Sequence, residues 1–350
     1  MPSDYIQLES QVLSLMHGQS VSEADFNACA LEIYRFQREN NSPYENYCRH
    51  TGARMDLKNW REIPAVPQAV FKQFPLRAFP ENLTVKTFRT SGTTGEGFGS
   101  HHFQSLRLYD EAILRGWDFF KLPLLPQIIL TPSPSQSPNS SLSHMMGTLV
   151  ARANNGIQHF CIDDSGSIQF DKIRALINEA TEPLLLMGTA LSFLHLFESG
   201  SPLPDLPKGS FAIQTGGYKG SGRDLTKASL YALFSKHLGL SPDAVINEYG
   251  MTELSSQFYT HGLGNPHEAP PWLRALVIDP EIGREVSLGD IGVLRIFDLA
   301  NVGSVLAVQT RDLAIRRKTG FELIGRDPAA LPRGCSRAAD EMLSNTTVSP

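Results

Sequence analysis

The sequence predicts an α/β protein with mostly parallel sheet flanked by helices, followed by a smaller C-terminal β-rich subdomain. Three observations carry that expectation. From Lys86 onward, short apolar runs of strand length alternate with stretches of helical period. Beyond Pro271 the alternation stops, and strand-like runs follow one another with little helix. The chain has 350 residues, 41% hydrophobic and 19% charged, enough to bury a large core in two domains or subdomains. Boundaries are placed at 1–270, 271–336 and 337–350, the last read as a disordered tail.

The first 40 residues read as helix. Ser22-Glu23-Ala24-Asp25 is a capping start, and Phe26, Cys29, Ala30 and Ile33 then share one face. The pattern breaks at Asn41 to Pro43. Ile63 to Pro67 introduces another short helix with Phe71 and Phe74 on its apolar side. The expected strands are Gln127 to Leu130, Leu184 to Met187, Phe211 to Ile213 and Ala244 to Ile246. Between them lie helical stretches at Leu106 to Phe120, Ser167 to Ala180, Thr189 to Phe197 and Asp224 to Leu238. Arg274 to Ile278, Gly292 to Phe297 and Val305 to Val308 are the late strands. Thr131 to Ser143, rich in Pro and Ser, reads as a functional loop at the carboxyl end of the sheet, where α/β folds place ligands.

The net charge of −5 argues against a general nucleic-acid binder. No apolar run reaches the length of a membrane span, and the N-terminus lacks a signal-peptide pattern. Four scattered cysteines suggest no disulfide framework, so a cytoplasmic location is expected. There is no HExxH or Cys/His cluster for zinc and no G-x-S-x-G serine.

The most informative stretch runs from Arg89 to Gly97, with Thr90-Ser91-Gly92-Thr93-Thr94-Gly95 at its heart, after the β-like run Leu83 to Phe88. Small residues let backbone N–H groups converge on an anion, and the hydroxyls add donors. No Gly-Lys-Ser/Thr closes it, so it is not a P-loop; a plain surface turn is the alternative. Asn247-Glu248-Tyr249-Gly250-Met251-Thr252-Glu253 follows an apolar run. It offers Tyr249 for stacking, Thr252 for a phosphate and Glu253 for a hard cation such as Mg²⁺. Gln214 to Gly220 follows another apolar run. Its paired Gly216 and Gly217 can leave bare backbone for a flat ring or simply form a tight turn, and Lys219 can meet a phosphate or stay solvated. Asp312 follows a strand, where it can accept from two ribose hydroxyls. Cys335 stands between Arg333 and Arg337. It is either a thiol of lowered pKa or an inert one.

The loop and the YG-x-TE segment together resemble the adenylate-forming superfamily of acyl-CoA synthetases, peptide-synthetase adenylation domains and firefly-type luciferases. The resemblance implies ATP and Mg²⁺ as cofactors. It places Thr90 to Gly95 on the triphosphate, Thr252 on the α-phosphate and Glu253 on the metal. Gly216, Gly217, Tyr218 and Tyr249 would meet the adenine, and Asp312 the ribose, although Arg311 stands where the superfamily has Gly. Arg326, in Gly325-Arg326, matches the end of the superfamily's large domain. The usual mobile domain with its catalytic lysine is expected to be absent, since the sequence stops 24 residues after Arg326.

A narrower resemblance is to the acyl-protein synthetase (LuxE) family of the bacterial bioluminescence fatty-acid reductase complex. It rests on FRTSGTTG, SSLSHM, MGTALSF, TGGYKG, NEYGMTEL and the closing GRDPAALPRGCS, from about residue 60 to 336. It implies that a fatty or other carboxylic acid becomes an acyl-adenylate, that Cys335 then accepts the acyl group, and that a partner acyl reductase or carrier protein receives it. His144, in SSLSHM, is the candidate for the acyl carboxylate. The competing expectations are a CoA ligase of the phenylacetate type and a catalytically inactive nucleotide-binding subunit.

Overall fold

The computed structural model describes residues 3–18, 20–90, 98–153, 158–200, 202–217 and 225–326. Three helices open the chain: α1 (Ser3–His17), α2 (Glu23–Asn40) and α3 (Ser42–His50). Ser22 caps α2 by accepting from the Asp25 amide, and Asn41 ends α2 while capping α3 through the Tyr44 amide. Phe26, Cys29, Ala30 and Ile33 are fully buried, as their spacing predicts. The helix expected after Ile63 is a 3₁₀ turn, Gln68–Lys72, and Val66–Pro67 before it is a strand, β1. Phe71 is buried and Phe74 half-buried.

β2 (Lys86–Arg89) and β3 (Ser100–Phe103) form an antiparallel hairpin, followed by α4 (Arg107–Phe119). The alternating stretch then gives β4 (Gln127–Leu130), α5 (Ser141–Ala153), β5 (Gln158–Phe160), α6 (Phe170–Glu179), β6 (Leu185–Thr189), α7 (Ala190–Glu198), β7 (Phe211–Thr215), α8 (Lys227–Leu238), β8 (Val245–Tyr249) and β9 (Phe258–His261). The late strands are β10 (Leu273–Ile278), β11 (Ile291–Asp298), β12 (Ala307–Arg316) and β13 (Phe321–Arg326).

These elements fall into two compact units. The first comprises Met1–Arg115, Met251–Ser256 and Pro266–Pro350; the second comprises Gly116–Gly250 and Gln257–Asn265. In the first unit β10, β11 and β12 are antiparallel neighbours and β13 adds to β12. β1 pairs in parallel with β12 at Val66↔Val308, so a strand from the helical N-terminal region completes the late sheet. Gln37 of α2 strengthens the tie. Its Nε2 donates to Asn301 O at 2.7 Å and its Oε1 accepts from the Leu306 amide at 2.9 Å, with the side chain fully buried. A buried amide satisfied at both ends fixes a helix against a turn more specifically than apolar packing does.

The second unit holds a six-stranded sheet in the order β5-β4-β6-β7-β8-β9, parallel except for β9. Ile128, Leu130, Leu186, Ala212 and Val245 share one face and pack with Ile173 and Ile177 of α6, Phe193 and Leu196 of α7, and Phe234 and Leu238 of α8. Period-two alternation puts Ile129, Met187, Ile213 and Ile246 on the opposite face, and these are buried too. Burial on both faces explains why these strands read as continuous apolar runs.

Candidate functional site

In the first unit the hairpin that flanks the Ser/Thr/Gly stretch meets the YG-x-TE segment. Thr90 and Gly99 close the neck of the β2–β3 hairpin. The Thr90 amide donates to Gly99 O, and the Gly99 amide to Thr90 Oγ1, both at 2.9 Å. Ser91, Gly92, Thr93, Thr94 and Gly95 lie outside the described residues. Two residues past the neck, His101 Nδ1 stands 2.8 Å from the Thr252 carbonyl oxygen, 151 residues away in sequence. A carbonyl only accepts, so Nδ1 carries the proton. Burial pulls the imidazole pKa down to about 4, which keeps the ring neutral. Its one N–H is therefore engaged by the YG-x-TE backbone.

Met251–Ser256 has no regular secondary structure, and side chains hold it. Asn301 Nδ2 donates to Glu253 O at 2.9 Å. The Ser255 and Ser256 amides donate to Asp298 Oδ2 at 2.9 and 2.8 Å, and the Ser256 hydroxyl donates to Asp298 Oδ1 at 2.8 Å. Burial pushes the Asp298 carboxyl pKa upward, while these donors oppose the shift. Sequence reasoning missed Asp298 and Asn301. The available signal was two polar residues inside the apolar run Phe297-Asp298-Leu299-Ala300-Asn301. Glu253 itself is buried.

Asp312 lies on β12 beside Arg326 on β13, and Arg326 Nε donates to Asp312 Oδ1 at 3.1 Å. Arg326 Nη2 also reaches Gln68 Oε1 at 3.3 Å. Gln68 starts the 3₁₀ turn whose Phe71 ring meets His101 edge-on at 5.9 Å. That one turn therefore touches both the Asp312–Arg326 pair and the hairpin neck. Lys72, which ends the turn, was also missed. A Cβ on Gly99 would stand 3.6 Å from Lys72 Cγ, so the lysine stem runs along the neck.

The second unit gathers other candidates at the carboxyl ends of its parallel strands. β7 ends at Thr215 and β8 at Tyr249, with Thr215 and Glu248 in register. Gly216, at φ 68, turns the chain away, followed by Gly217. Tyr218 and Lys219 lie outside the described residues, as does Cys335. Tyr249 is buried, its ring 5.9 Å from Phe258. The Thr215 hydroxyl donates to Glu248 Oε2, and both side chains are buried. Burial raises the Glu248 pKa to about 7 despite that bond. The carboxyl folds back beneath Gly250, where a Cβ would stand 2.5 Å from Glu248 Oε1; this accounts for the glycine of the motif. Sequence reasoning passed over Glu248.

His144 is in the first turn of α5, which Ser140 caps through the Ser143 amide. The loop before it, predicted to sit at the sheet's carboxyl end, does leave β4 there and packs Pro134 onto α5. A Cβ on Gly147 would be 2.6 Å from Pro134 Cγ. Among the described residues no cluster of three His, Cys, Asp or Glu side chains is arranged for a metal, and no helix is long and apolar enough to cross a membrane.

The fold is that of the adenylate-forming ligases. A 2-hydroxyisobutyryl-CoA ligase in an open conformation with 2-HIB-AMP and CoA superimposes with TM-score 0.67 at 13% identity, covering 90% of this chain and 78% of that one. ATP-bound MatB from Rhodopseudomonas palustris gives TM-score 0.53 at 20% identity, covering 79% of this chain. The chain spans about half of MatB, 51%. The family model for the acyl-protein synthetase, LuxE, matches residues 3–344, and the chain belongs to that family of ligases. Two relatives are long-chain-fatty-acid–luciferin-component ligases. The one from Aliivibrio fischeri is 24% identical, over 81% of this chain and 77% of the relative. The one from Vibrio harveyi is 21% identical, over 87% and 84%.

Proposed function

We propose that this protein activates a long-chain fatty acid with ATP, receives the acyl group on Cys335 and passes it to an acyl reductase. A carboxylate oxygen attacks the α-phosphorus, the bond to the β-phosphate oxygen breaks, and pyrophosphate leaves. The Cys335 thiolate then attacks the acyl carbon and AMP leaves, giving a thioester that stays reactive toward the next acceptor. The single observation supporting the first step is the His101–Thr252 hydrogen bond, which joins the exit strand of the Ser/Thr/Gly loop to the YG-x-TE segment.

In this reading Thr90 to Gly95 cradle the triphosphate, with Lys219 as a further phosphate contact. Thr252 meets the α-phosphate, and Asp312, steadied by Arg326, accepts from the ribose. Gly216, Gly217, Tyr218 and Tyr249 bound the adenine, and His144 faces the acyl carboxylate. Mg²⁺ fits a site of this kind. With no cluster of three ligating side chains among the described residues, the protein would supply Glu253, and phosphate oxygens and waters would complete the ligand set, as Mg²⁺ commonly binds beside a nucleotide. Bound there, the ion would offset charge on the departing pyrophosphate. Holding the carboxylate in line with the α-phosphorus supplies much of the rate.

The test is fatty-acid-dependent exchange of labelled pyrophosphate into ATP, followed by intact-mass measurement after incubation with Mg·ATP and a mixture of fatty acids. Exchange plus an acyl mass on the Cys335 peptide is expected. Exchange without retained acyl would favour delivery to CoA or a carrier protein, and no exchange would favour a nucleotide-binding subunit.

A further inference from the structure

We infer that His101 and Asn301 are positioning residues that fix the Thr252–Glu253 backbone for the chemistry proposed above, an inference that rests on that reading. The segment carrying these two side chains is neither helix nor strand. Its own backbone supplies one turn bond, Leu254 N to Met251 O at 3.0 Å. An irregular segment left to itself samples many φ/ψ combinations, and each moves a side chain by ångströms. Here polar side chains from outside the segment remove that freedom. His101 donates to the Thr252 carbonyl, Asn301 donates to the Glu253 carbonyl, and Asp298 accepts from the amides of Ser255 and Ser256.

The donors come from different elements. His101 is on β3, the strand that leaves the Ser/Thr/Gly loop. Asn301 is in the turn after β11, held through its own carbonyl by Gln37 and through Oδ1 by the Ser255 hydroxyl at 2.7 Å. The imidazole is oriented by two rings, Phe103 at 4.1 Å and Phe71 at 5.9 Å. It is 1% exposed, so its one N–H has no water to return to if the bond to Thr252 breaks. The loop strand and the Thr252–Glu253 carbonyls thus move together. A displacement of about 1 Å at reacting groups is enough to slow catalysis about a hundredfold.

The experiment compares His101→Leu, His101→Asn and His101→Gln with the wild type in fatty-acid-dependent pyrophosphate exchange, alongside thermal unfolding. Asn places an amide N–H near the Nδ1 position and restores the bond. Gln places its amide near Nε2, away from the carbonyl, and Leu has no donor. In the Leu variant kcat is expected to fall about tenfold, as for one lost buried hydrogen bond, with a rise in KM for Mg·ATP and no change in KM for the fatty acid. Asn should recover most of the loss and Gln little. A purely structural role would lower the amount of active protein and leave KM for Mg·ATP unmoved. If the Leu variant fails to fold, the Asn and Gln variants decide between themselves. Equal activity in those two, a Leu variant matching the wild type, or a fall in kcat with KM for Mg·ATP unmoved overturns the inference. A wild type without exchange overturns the proposed function along with it, whereas an active wild type with an indifferent His101 overturns this inference alone.

Discussion

Arg326 donates from Nε to Asp312 Oδ1 at 3.1 Å, across neighbouring positions of β12 and β13. The sequence selected these residues separately, 14 positions apart, and the sheet makes them one unit. Arg326 is 42% exposed at its side chain and Asp312 11%, so the pair is screened and adds at most about 1 kcal/mol to stability. Its value lies in aim: the guanidinium holds one carboxylate oxygen and leaves the group oriented.

That division predicts a kinetic effect with little thermal one. Asp312→Ala should raise KM for ATP about tenfold or more, the scale of losing a charge-assisted hydrogen bond, with fatty-acid KM unchanged. Arg326→Ala should raise it less. Steady-state exchange kinetics and melting curves on the same preparations check both; a large drop in melting temperature for Arg326→Ala would contradict the orienting role.

The role proposed for Cys335 sets an expectation that the other cysteines do not share. Cys29, Cys48 and Cys161 are fully buried, and desolvation pushes their pKa values up to about 12, 12 and 11. Native alkylation followed by peptide mapping should modify Cys335 first, and prior incubation with Mg·ATP and fatty acid should protect it. Cys335→Ser should retain no acyl label while still exchanging pyrophosphate.

Glu248 gives the protein a pH signature. Its carboxyl titrates at about 7 in the folded protein against an ordinary 4.5, chiefly through desolvation, with the Thr215 bond acting the other way. Between those values the unfolded chain has released a proton that the folded protein still holds, so stability falls as pH rises and levels off above about 7. The full effect is about 3 kcal/mol. Urea unfolding from about pH 5 to about pH 8 should show this slope in the wild type and a flatter one in Glu248→Gln.

Asp298 carries the largest expected stability cost. It is fully buried and accepts from Ser255 N, Ser256 N, the Ser256 hydroxyl and Ala300 N. Asp298→Ala strands those donors at once, and a loss of about 3 kcal/mol or more is expected in denaturant unfolding. A loss below about 1 kcal/mol would mean that water replaces the carboxylate.

The parallel sheet was legible because strands such as Leu185–Thr189 and Val245–Tyr249 are buried on both faces and begin as apolar runs, and their helices carry a 3.6 period. The helix cap at Ser22 was legible for a similar reason: its geometry is local. Other strands were not. β1 is two residues long and contains Pro67, and it becomes a strand only because β12 lies beside it. The hairpin strand Ser100–Phe103 reads as polar, because His101 is buried only by neighbours distant in sequence while Ser100 and His102 stay half-buried.

The candidate site divides the same way. Composition and order of short motifs picked out Thr90, Thr252, Glu253, Asp312 and Arg326, because the chemistry of phosphates and ribose restricts residue type. Only the tertiary structure revealed that His101, Asp298 and Asn301 hold the Thr252–Glu253 backbone, or that Glu248 lies under Gly250. A side chain's role in chemistry is written in its functional group. Its role in holding another segment depends on which backbone atoms folding brings within about 3 Å of it, and no local pattern encodes that.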